Sequence, residues 1–402
     1  MKKKKYDVAV IGAGPAGSVC AKNLAGMGYD VLLCEKRPVV GVPVRCGEAT
    51  GARKRLSEFA QVNEDWIETD IHGVMLHAGS LDIRYDKHDI GLMIDRALFD
   101  QDLAGQAERA GAELCLNARV SDVLSTQNKH RGVRVVYDGQ EEEIQASVVI
   151  GADGAETLCG RWAGLKCRHL PSRTCSALEF RIEGEYEYPN HLSFWTAFSG
   201  IDTGYVWVFP KLKSQVINIG AGNITPGLNE PNMHETLMKF KQEYFPDYKI
   251  LAAHGGAVPV SGNLEESVSD RFLLAGDAAH HTNPLTGGGI MSSMQAGFLA
   301  SKWVHRAFVK GDFSRDFFRR YEEDCWDKIG KSHRRQMRIR DFILGLTQQE
   351  EERFFQIIKS MAESGFSLVS KALGYGRIYG LMLRNPGLVW RILQDTRKPF
   401  KA

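Results

Sequence analysis

The first 35 residues leave the chain little choice of fold. Tyr6-Asp7-Val8-Ala9-Val10-Ile11 is a mostly apolar run with the composition of a strand buried on both faces. Gly12-x-Gly14-x-x-Gly17 follows at once, residues 16–27 have helical composition, and a second run from Asp30 to Cys34 ends on Glu35. Strand, glycine turn, helix, strand and acid within about 30 residues is the dinucleotide-binding arrangement of a doubly wound α/β fold. The glycines allow a tight turn and let the backbone touch a pyrophosphate. The helix start offers free N–H groups and the positive end of its dipole. Glu35 is placed to accept hydrogen bonds from ribose hydroxyls.

Length and composition bound the rest. A chain of 402 residues is too long for one ordinary core, so two or three domains are expected. Its apolar share of 43% and charged share of 25% exclude a disordered or fibrous chain. Lys+Arg is 51 against Asp+Glu at 49, so no global field draws it to nucleic acid. The eight cysteines, at 20, 34, 46, 115, 159, 167, 175 and 325, contain no C-x-x-C pair. That spacing lacks the signature of zinc ribbons and of most iron–sulfur ligation, and it is too sparse for a secreted disulfide scaffold. Lys2 to Lys5 before an apolar run resembles a secretory signal, but Asp7 and the Gly12–Pro15 break interrupt it. No run of about 18 apolar residues occurs, so no membrane-spanning helix is predicted. The expectation is a cytoplasmic monomer that meets membrane, if at all, from the surface.

Three later segments identify the dinucleotide. Residues 113–124 read as a strand returning beside the nucleotide half. Ser147-Val148-Val149-Ile150-Gly151-Ala152-Asp153-Gly154 is a strand ending in a second glycine turn. In residues 271–289 an apolar strand delivers Gly276-Asp277, and Pro284 to Gly289 form a glycine-rich loop before a helix. From residue 6 to about 305 these segments resemble the FAD-dependent oxidoreductases built like the aromatic hydroxylases. The resemblance implies that Asp277 bonds the ribityl chain and that Gly289 and Ile290 sit on the isoalloxazine. Asp277 also suits a helix N-cap.

The expected fold is α/β, with a Rossmann-like FAD-binding domain of the aromatic-hydroxylase type, a substrate domain and a helical end. The FAD-binding parts are placed at 1–171 and 266–310. The alternating runs between 172 and 265 read as a largely antiparallel substrate sheet. Residues 311–402 read as amphipathic and helical, with Pro386-Gly387 as a break.

Two stretches narrow the family. Pro43-Val44-Arg45-Cys46-Gly47-Glu48 follows the second strand, and Tyr205-Val206-Trp207-Val208-Phe209-Pro210 puts Tyr205, Trp207 and Phe209 on one face of a strand. By itself such an aromatic stripe is more often core than cavity wall. With the Gly276-Asp277-Ala278-Ala279 turn and the Pro284 to Ile290 loop, these stretches resemble the geranylgeranyl reductase family, particularly the archaeal-type enzymes that saturate prenyl chains of ether lipids. The resemblance implies flavin contacts from Gly12, Gly14, Ala16, Gly17, Glu35, Arg45, Cys46, Gly47, Ala49, Arg96 and Val120 as well as the later turn. Arg96 matches a flavin-contacting arginine at the head of a helix. Ala49 stands where a glycine is usual, and the His280-His281 pair is unusual.

The implied chemistry makes demands. An isolated trisubstituted alkene accepts hydride only if a carbon gains positive character, so the site needs a dry cavity, an acid and a means of steadying a cation. Tyr205 and Trp207 offer ring faces for the last, with Phe209 completing the substrate wall. Cys46 is the candidate proton donor or a gate beside the flavin, and its bland reading is a small buried packing residue. His280 or His281 offers an alternative acid, though a structural hydrogen bond suits them better. No metal site is evident. Lys328, Lys331, Arg334, Arg335, Arg338 and Arg340 fall within thirteen residues, a solvated face or a contact for lipid phosphates. Leu381-Met382-Leu383 and Leu388-Val389-Trp390 could close the cavity or touch a bilayer. The electron donor is NADPH bound transiently or a ferredoxin. The competing enzyme reading is an aromatic monooxygenase or halogenase, whose W-x-W-x-I-P motif is half met because Tyr205 replaces the first tryptophan. A further alternative is a flavin protein that only transfers electrons.

Overall fold

The computed structural model describes residues 1–126, 129–167, 173–196, 198–224 and 232–363. Its strands are β1 (Lys5–Ile11), β2 (Val31–Cys34), β3 (Ala49–Gly51), β4 (Ile67–Ala78), β5 (Leu81–Ile94), β6 (Glu113–Cys115), β7 (Arg119–Thr126) and β8 (Lys129–Tyr137). They continue as β9 (Gln140–Gly151), β10 (Thr174–Glu183), β11 (His191–Trp195), β12 (Gly204–Lys211), β13 (Val216–Ile224), β14 (Ile250–Pro259), β15 (Val268–Ser269) and β16 (Phe272–Leu274). The helices are α1 (Pro15–Gly26), α2 (Arg53–Leu56), α3 (Arg96–Arg109), α4 (Leu158–Trp162), α5 (Met233–Tyr244), α6 (Ile290–Lys310), α7 (Arg315–Cys325), α8 (Lys331–Leu344) and α9 (Gln348–Glu363).

The first sheet has the order β15-β16-β9-β1-β2-β6, with the β7–β8 hairpin attached through β8 to β9. β1 lies parallel to β2 and β9, and β16 runs parallel to β9. The registers align Ile11 with Cys34 and Gly151, and Gly151 with Leu274. Four chain segments therefore leave the sheet along one carboxyl edge, where open α/β sheets bind ligands. Leu24, Leu299, Trp303 and Phe318 cover one face of this sheet over Val8, Val10 and Ile150. Val133, Val135 and Ile144 cover the other over Ala9, Ile11 and Val149. Burial on both faces is why β1 and the end of β9, Val148-Val149-Ile150, read as continuous apolar runs. The strand expected over 113–124 is two, because the chain breaks after Cys115 and resumes at Arg119.

The second sheet has the order β14-β10-β13-β12-β11-β4-β5-β3. Three of its strands come from residues 49–94, a stretch that the sequence reading kept with the nucleotide half. Most pairs are antiparallel, but β11 joins β4 in parallel. One face packs Val206, Val208, Ile217 and Ile219 against Leu237 and Phe240 of α5. The opposite face is free to line a cavity. Further along, Phe355 and Ile358 of α9 pack on the β4–β5 hairpin. No described helix is long and apolar enough to cross a membrane. The segments around 381–390, including Pro386-Gly387, lie outside the described residues.

Candidate functional site

The carboxyl edge of the first sheet and the free face of the second enclose one cavity of about 1550 Å³. A single small-ligand pocket spans roughly 300–1,000 Å³, so this one has room for a large cofactor and a second ligand. Every flavin or substrate contact expected from the sequence lines it, except Gly17. A Cβ on Gly17 would stand 1.9 Å from the Gly12 carbonyl oxygen, so this glycine serves the close approach of α1 to β1.

The nucleotide end is built to receive an anion. α1 begins on Pro15 with no side-chain cap and no acid in its first turn. A Cβ on Gly14 would meet nothing within 4 Å, which leaves the helix start open to the cavity. Gly12 makes the turn at φ +100°, with its Cβ position 2.4 Å from the Ala152 oxygen. The Glu35 carboxylate accepts from the backbone N–H of Ala13 at 3.1 Å and of Arg37 at 3.0 Å, which fixes its direction. Asp153, quoted in the second glycine turn but not carried to the site by sequence reasoning, also lines the cavity. Its Oδ2 accepts from Cys159 N, while Oδ1 is buried without a partner, and burial raises its pKa. An orphaned acceptor beside two uncovered glycine turns fits a hydroxyl-rich dinucleotide such as FAD.

Asp277 faces the same space from the Gly276–Ala279 turn. It makes no cap there: Thr282 Oγ1 donates to its Oδ1 at 2.8 Å, and burial raises its pKa. A Cβ on Gly289 would stand 3.0 Å from that oxygen. α6, which follows, also starts without a side-chain cap or an acid in its first turn.

Between the two ends lies the Pro43–Glu48 loop, anchored by Glu48. This residue is fully buried and adopts φ +66°, left-handed backbone for a non-glycine. Its Oε2 accepts from Lys211 Nζ at 3.0 Å and Asn218 Nδ2 at 2.8 Å, and Oε1 accepts from Arg96 N at 2.9 Å. Arg181 Nη2 stands 2.6 Å from Oε2 as an ion pair. The loop is thereby tied at once to the second sheet and to the head of α3, where Arg96 also donates to Asp100 at 2.8 Å. Cys46 is carried on this loop. Its Sγ accepts from Glu48 N at 3.2 Å, and burial pushes the thiol up although nearby Arg96 opposes the shift.

Tyr205, Trp207 and Phe209 face the cavity from β12, as period 2 requires. Phe194 of β11 completes the wall, its ring 5.3 Å from Tyr205 and 5.4 Å from Phe209. Sequence reasoning missed it, although alternation within His191–Trp195 would have found it. The Tyr205 hydroxyl donates to Thr286 O, which joins the wall to the loop before α6. Trp207 lies across Gly220, whose Cβ would fall 2.1 Å from the indole, and its Nε1 donates to Glu179 at 3.0 Å. Glu179 and His254 also line the cavity and were not anticipated.

His280 and His281 do not line it. His280 shares a 2.6 Å hydrogen bond with Ser261 Oγ, and burial lowers the His281 pKa to about 3. The alternative of a histidine acid from this pair therefore loses its geometry. The basic run divides: Lys331 pairs with Asp327, whereas Arg340 turns inward and donates to the Val260 carbonyl at 2.6 Å.

Comparison with known proteins agrees with this geometry. The FAD binding domain family model matches residues 5–335. The digeranylgeranylglycerophospholipid reductase of Methanothrix thermoacetophila is 33% identical over 394 residues, covering 96% of this chain and 98% of that protein. A geranylgeranyl bacteriochlorophyll reductase-like protein from Thermoplasma acidophilum superposes with a TM-score of 0.88 at 26% identity, over 97% and 99% of the two chains. A flavin-dependent brominase superposes at 0.69 and 18% identity, over 94% and 100%, which shows the shared fold alone. By fold, cavity and sequence, the chain belongs to the digeranylgeranylglycerophospholipid reductase family of FAD-binding proteins.

Proposed function

We propose that this chain is an FAD-dependent reductase that saturates carbon–carbon double bonds in the geranylgeranyl chains of a glycerophospholipid. The observation that carries the reading is continuity: a single cavity joins the dinucleotide cradle to an aromatic wall. Glu35, Asp153, Asp277 and the starts of α1 and α6 would hold FAD, which when bound and reduced supplies a hydride. The remaining work falls to the protein. The wall of Phe194, Tyr205, Trp207 and Phe209 excludes water from a developing tertiary cation on the substrate. Each suitably placed Tyr or Trp ring face steadies such a cation by about 2 kcal/mol when desolvated. Cys46, kept as an uncharged thiol by burial, enters the site as a proton-bearing group or as a gate. Arg96 and Glu48 fix the loop that presents it.

FAD takes the one dinucleotide fingerprint read in the sequence, so electrons arrive from transiently bound NADPH or a ferredoxin. Lys328 and Arg340 line the cavity, and exposed Arg334 and Arg338 continue the positive charge along α8. This face suits phosphate-bearing lipid at a membrane surface. The test is anaerobic. Protein reduced with dithionite is expected to add about 2 Da to a geranylgeranyl lipid for each bond saturated, since each gains two hydrogens. Failure without oxygen, together with hydroxylation or halogenation of an aromatic compound in its presence, overturns the reading.

A further inference from the structure

Saturating an alkene breaks one π bond and forms two C–H bonds, one from hydride and one from a proton. The reading above leaves the proton's source open between a thiol and an unknown acid. The cavity wall offers another group. Across the second sheet, Leu76, Phe194, Trp207, Gly220, Glu179 and His254 are successive register partners. This row runs from apolar to aromatic to acid. Gly220 carries no side chain, so the Trp207 indole lies over it and reaches Glu179 Oε2 at 3.0 Å. The other carboxyl oxygen, Oε1, lies 3.1 Å from His254 Nε2. The two side chains are only 4% and 14% exposed.

An ionisable pair in such a wall is costly unless it is used, and the sheet does not need it. β10 and β14 are already paired from Thr174 to Ile182. We propose that the Glu179–His254 pair is the acid of this site: it holds one proton on the cavity wall and delivers it to the substrate carbon as hydride arrives at the neighbouring carbon. Glu179 is then left as carboxylate beside neutral His254, and water reaching the outer strand β14 returns the proton. The proposal rests on the reductase reading.

Burial, the largest influence, and the negative charge of Glu48 favour a proton on this carboxyl, while the hydrogen bonds of His254 and Trp207 oppose it. Trp207 donates from β12, His254 faces it from β14, and β13 offers uncharged Gly220. Glu48, in the Pro43–Glu48 loop, adds negative charge, and burial is the larger influence raising the Glu179 pKa. Glu48 itself is committed to Lys211, Arg181 and Asn218. Cys46, on that loop, sits within the field of Glu179 of β10, and burial makes its thiol a weaker acid still. Glu179 Oε2 lies 3.5 Å from the Cβ position of Gly47, which brings the acid beside the Cys46 segment.

The experiment compares wild type, Glu179→Gln, His254→Gln and Cys46→Ala, each loaded with FAD and reduced anaerobically by dithionite. Glutamine keeps an acceptor for Trp207 but cannot give up a carboxyl proton. Glu179→Gln should lower the first-turnover rate by about 10²–10⁴-fold, the scale of a lost general acid. FAD content, dithionite reduction rate and lipid Kd should stay unchanged. Cys46→Ala, which alters the loop beside the flavin, should slow the first turnover less than Glu179→Gln does. A second readout needs no turnover. Proton loss from the pair should change Trp207 fluorescence, as a pH step absent from Trp207→Phe and from Glu179→Gln. Full activity in Glu179→Gln, or a fluorescence step that survives in it, overturns the proposal, as does loss of chemistry confined to Cys46→Ala. If wild type itself leaves the lipid untouched, it is the reductase reading that has failed.

Discussion

Glu48 offers the sharpest test of how the site is held. Glu48→Gln keeps the size of the side chain and an acceptor for Arg96 N, but removes the negative charge that Lys211 and Arg181 face. Lys211 Nζ is 3.0 Å away with its side chain 3% exposed, so water cannot take over as its partner. Removing the charge leaves Lys211 to the more distant carboxylate of Glu68, at 3.9 Å, in a medium that solvates it poorly, a loss toward the about 3–5 kcal/mol of a broken buried pair. The amide also turns one N–H₂ group toward donors or leaves an acceptor short, which keeps the loss at that level despite the similar shape.

Urea unfolding followed by circular dichroism should show that loss, and FAD affinity should fall with it, because the loop carrying Arg45 and Cys46 loses its tie to β12 and β13. Lys211→Met in the same background removes the stranded ammonium. It should restore at least about 2 kcal/mol, since hydrophobic replacements of buried pairs are often near neutral. A loss under about 1 kcal/mol in Glu48→Gln would show the pair to behave as a surface one. Strict additivity with Lys211→Met would equally refute the argument.

Other perturbations probe the rest of the cavity. Asp277→Ala should weaken FAD by about 1.5–3 kcal/mol, the scale of a charged hydrogen bond, and an unchanged dissociation constant removes Asp277 from the cofactor site. Gly220→Ala places a methyl 2.1 Å from the Trp207 ring, so it should cost about 1–3 kcal/mol and displace the indole from Glu179, checked by unfolding and tryptophan fluorescence. His281 and His333 are held neutral by burial, with pKa values lowered to about 3 and about 4. The unfolded chain binds these protons first, so stability should decline as pH falls from about 6.5 toward 4, by up to about 1.4 kcal/mol per unit for each histidine. His281→Gln should flatten that acid limb in pH-dependent unfolding. Trp207→Ala should lower kcat more than it weakens lipid binding, whereas equal losses would make the ring a plain wall.

The nucleotide half was legible because its signals are local. Gly12, Gly14, Gly17 and Glu35 lie within one strand–helix–strand unit, and period 2 alone put Tyr205, Trp207 and Phe209 on one face. What escaped was set by pairing between distant segments. Glu179 and His254 join the wall only through cross-strand register, which no spacing along the chain reveals. The strands from residues 49–94 enter the second sheet for the same reason, through the parallel β4–β11 contact. Glu48 could be quoted within a motif, yet its buried partners Lys211 and Asn218 lie more than 160 positions away.

The two sheets therefore divide the labour unequally. The first gathers four loop ends at one edge, which any chemistry using FAD on this fold requires, so a brominase shares it at 18% identity. The second contributes the cavity wall, through one row of side chains whose register is fixed along β10, β12 and β13. A slip of one residue in β12 would turn Val206 and Val208 to the cavity and Trp207 toward α5, removing wall and Trp207–Glu179 contact together. Packing of Val206 and Val208 on Phe240 opposes that slip, and on the cavity side Lys211 locks to Glu48. The buried ion pair and the apolar outer face thus enforce the same register, and the position of Trp207 beside Glu179 follows from both.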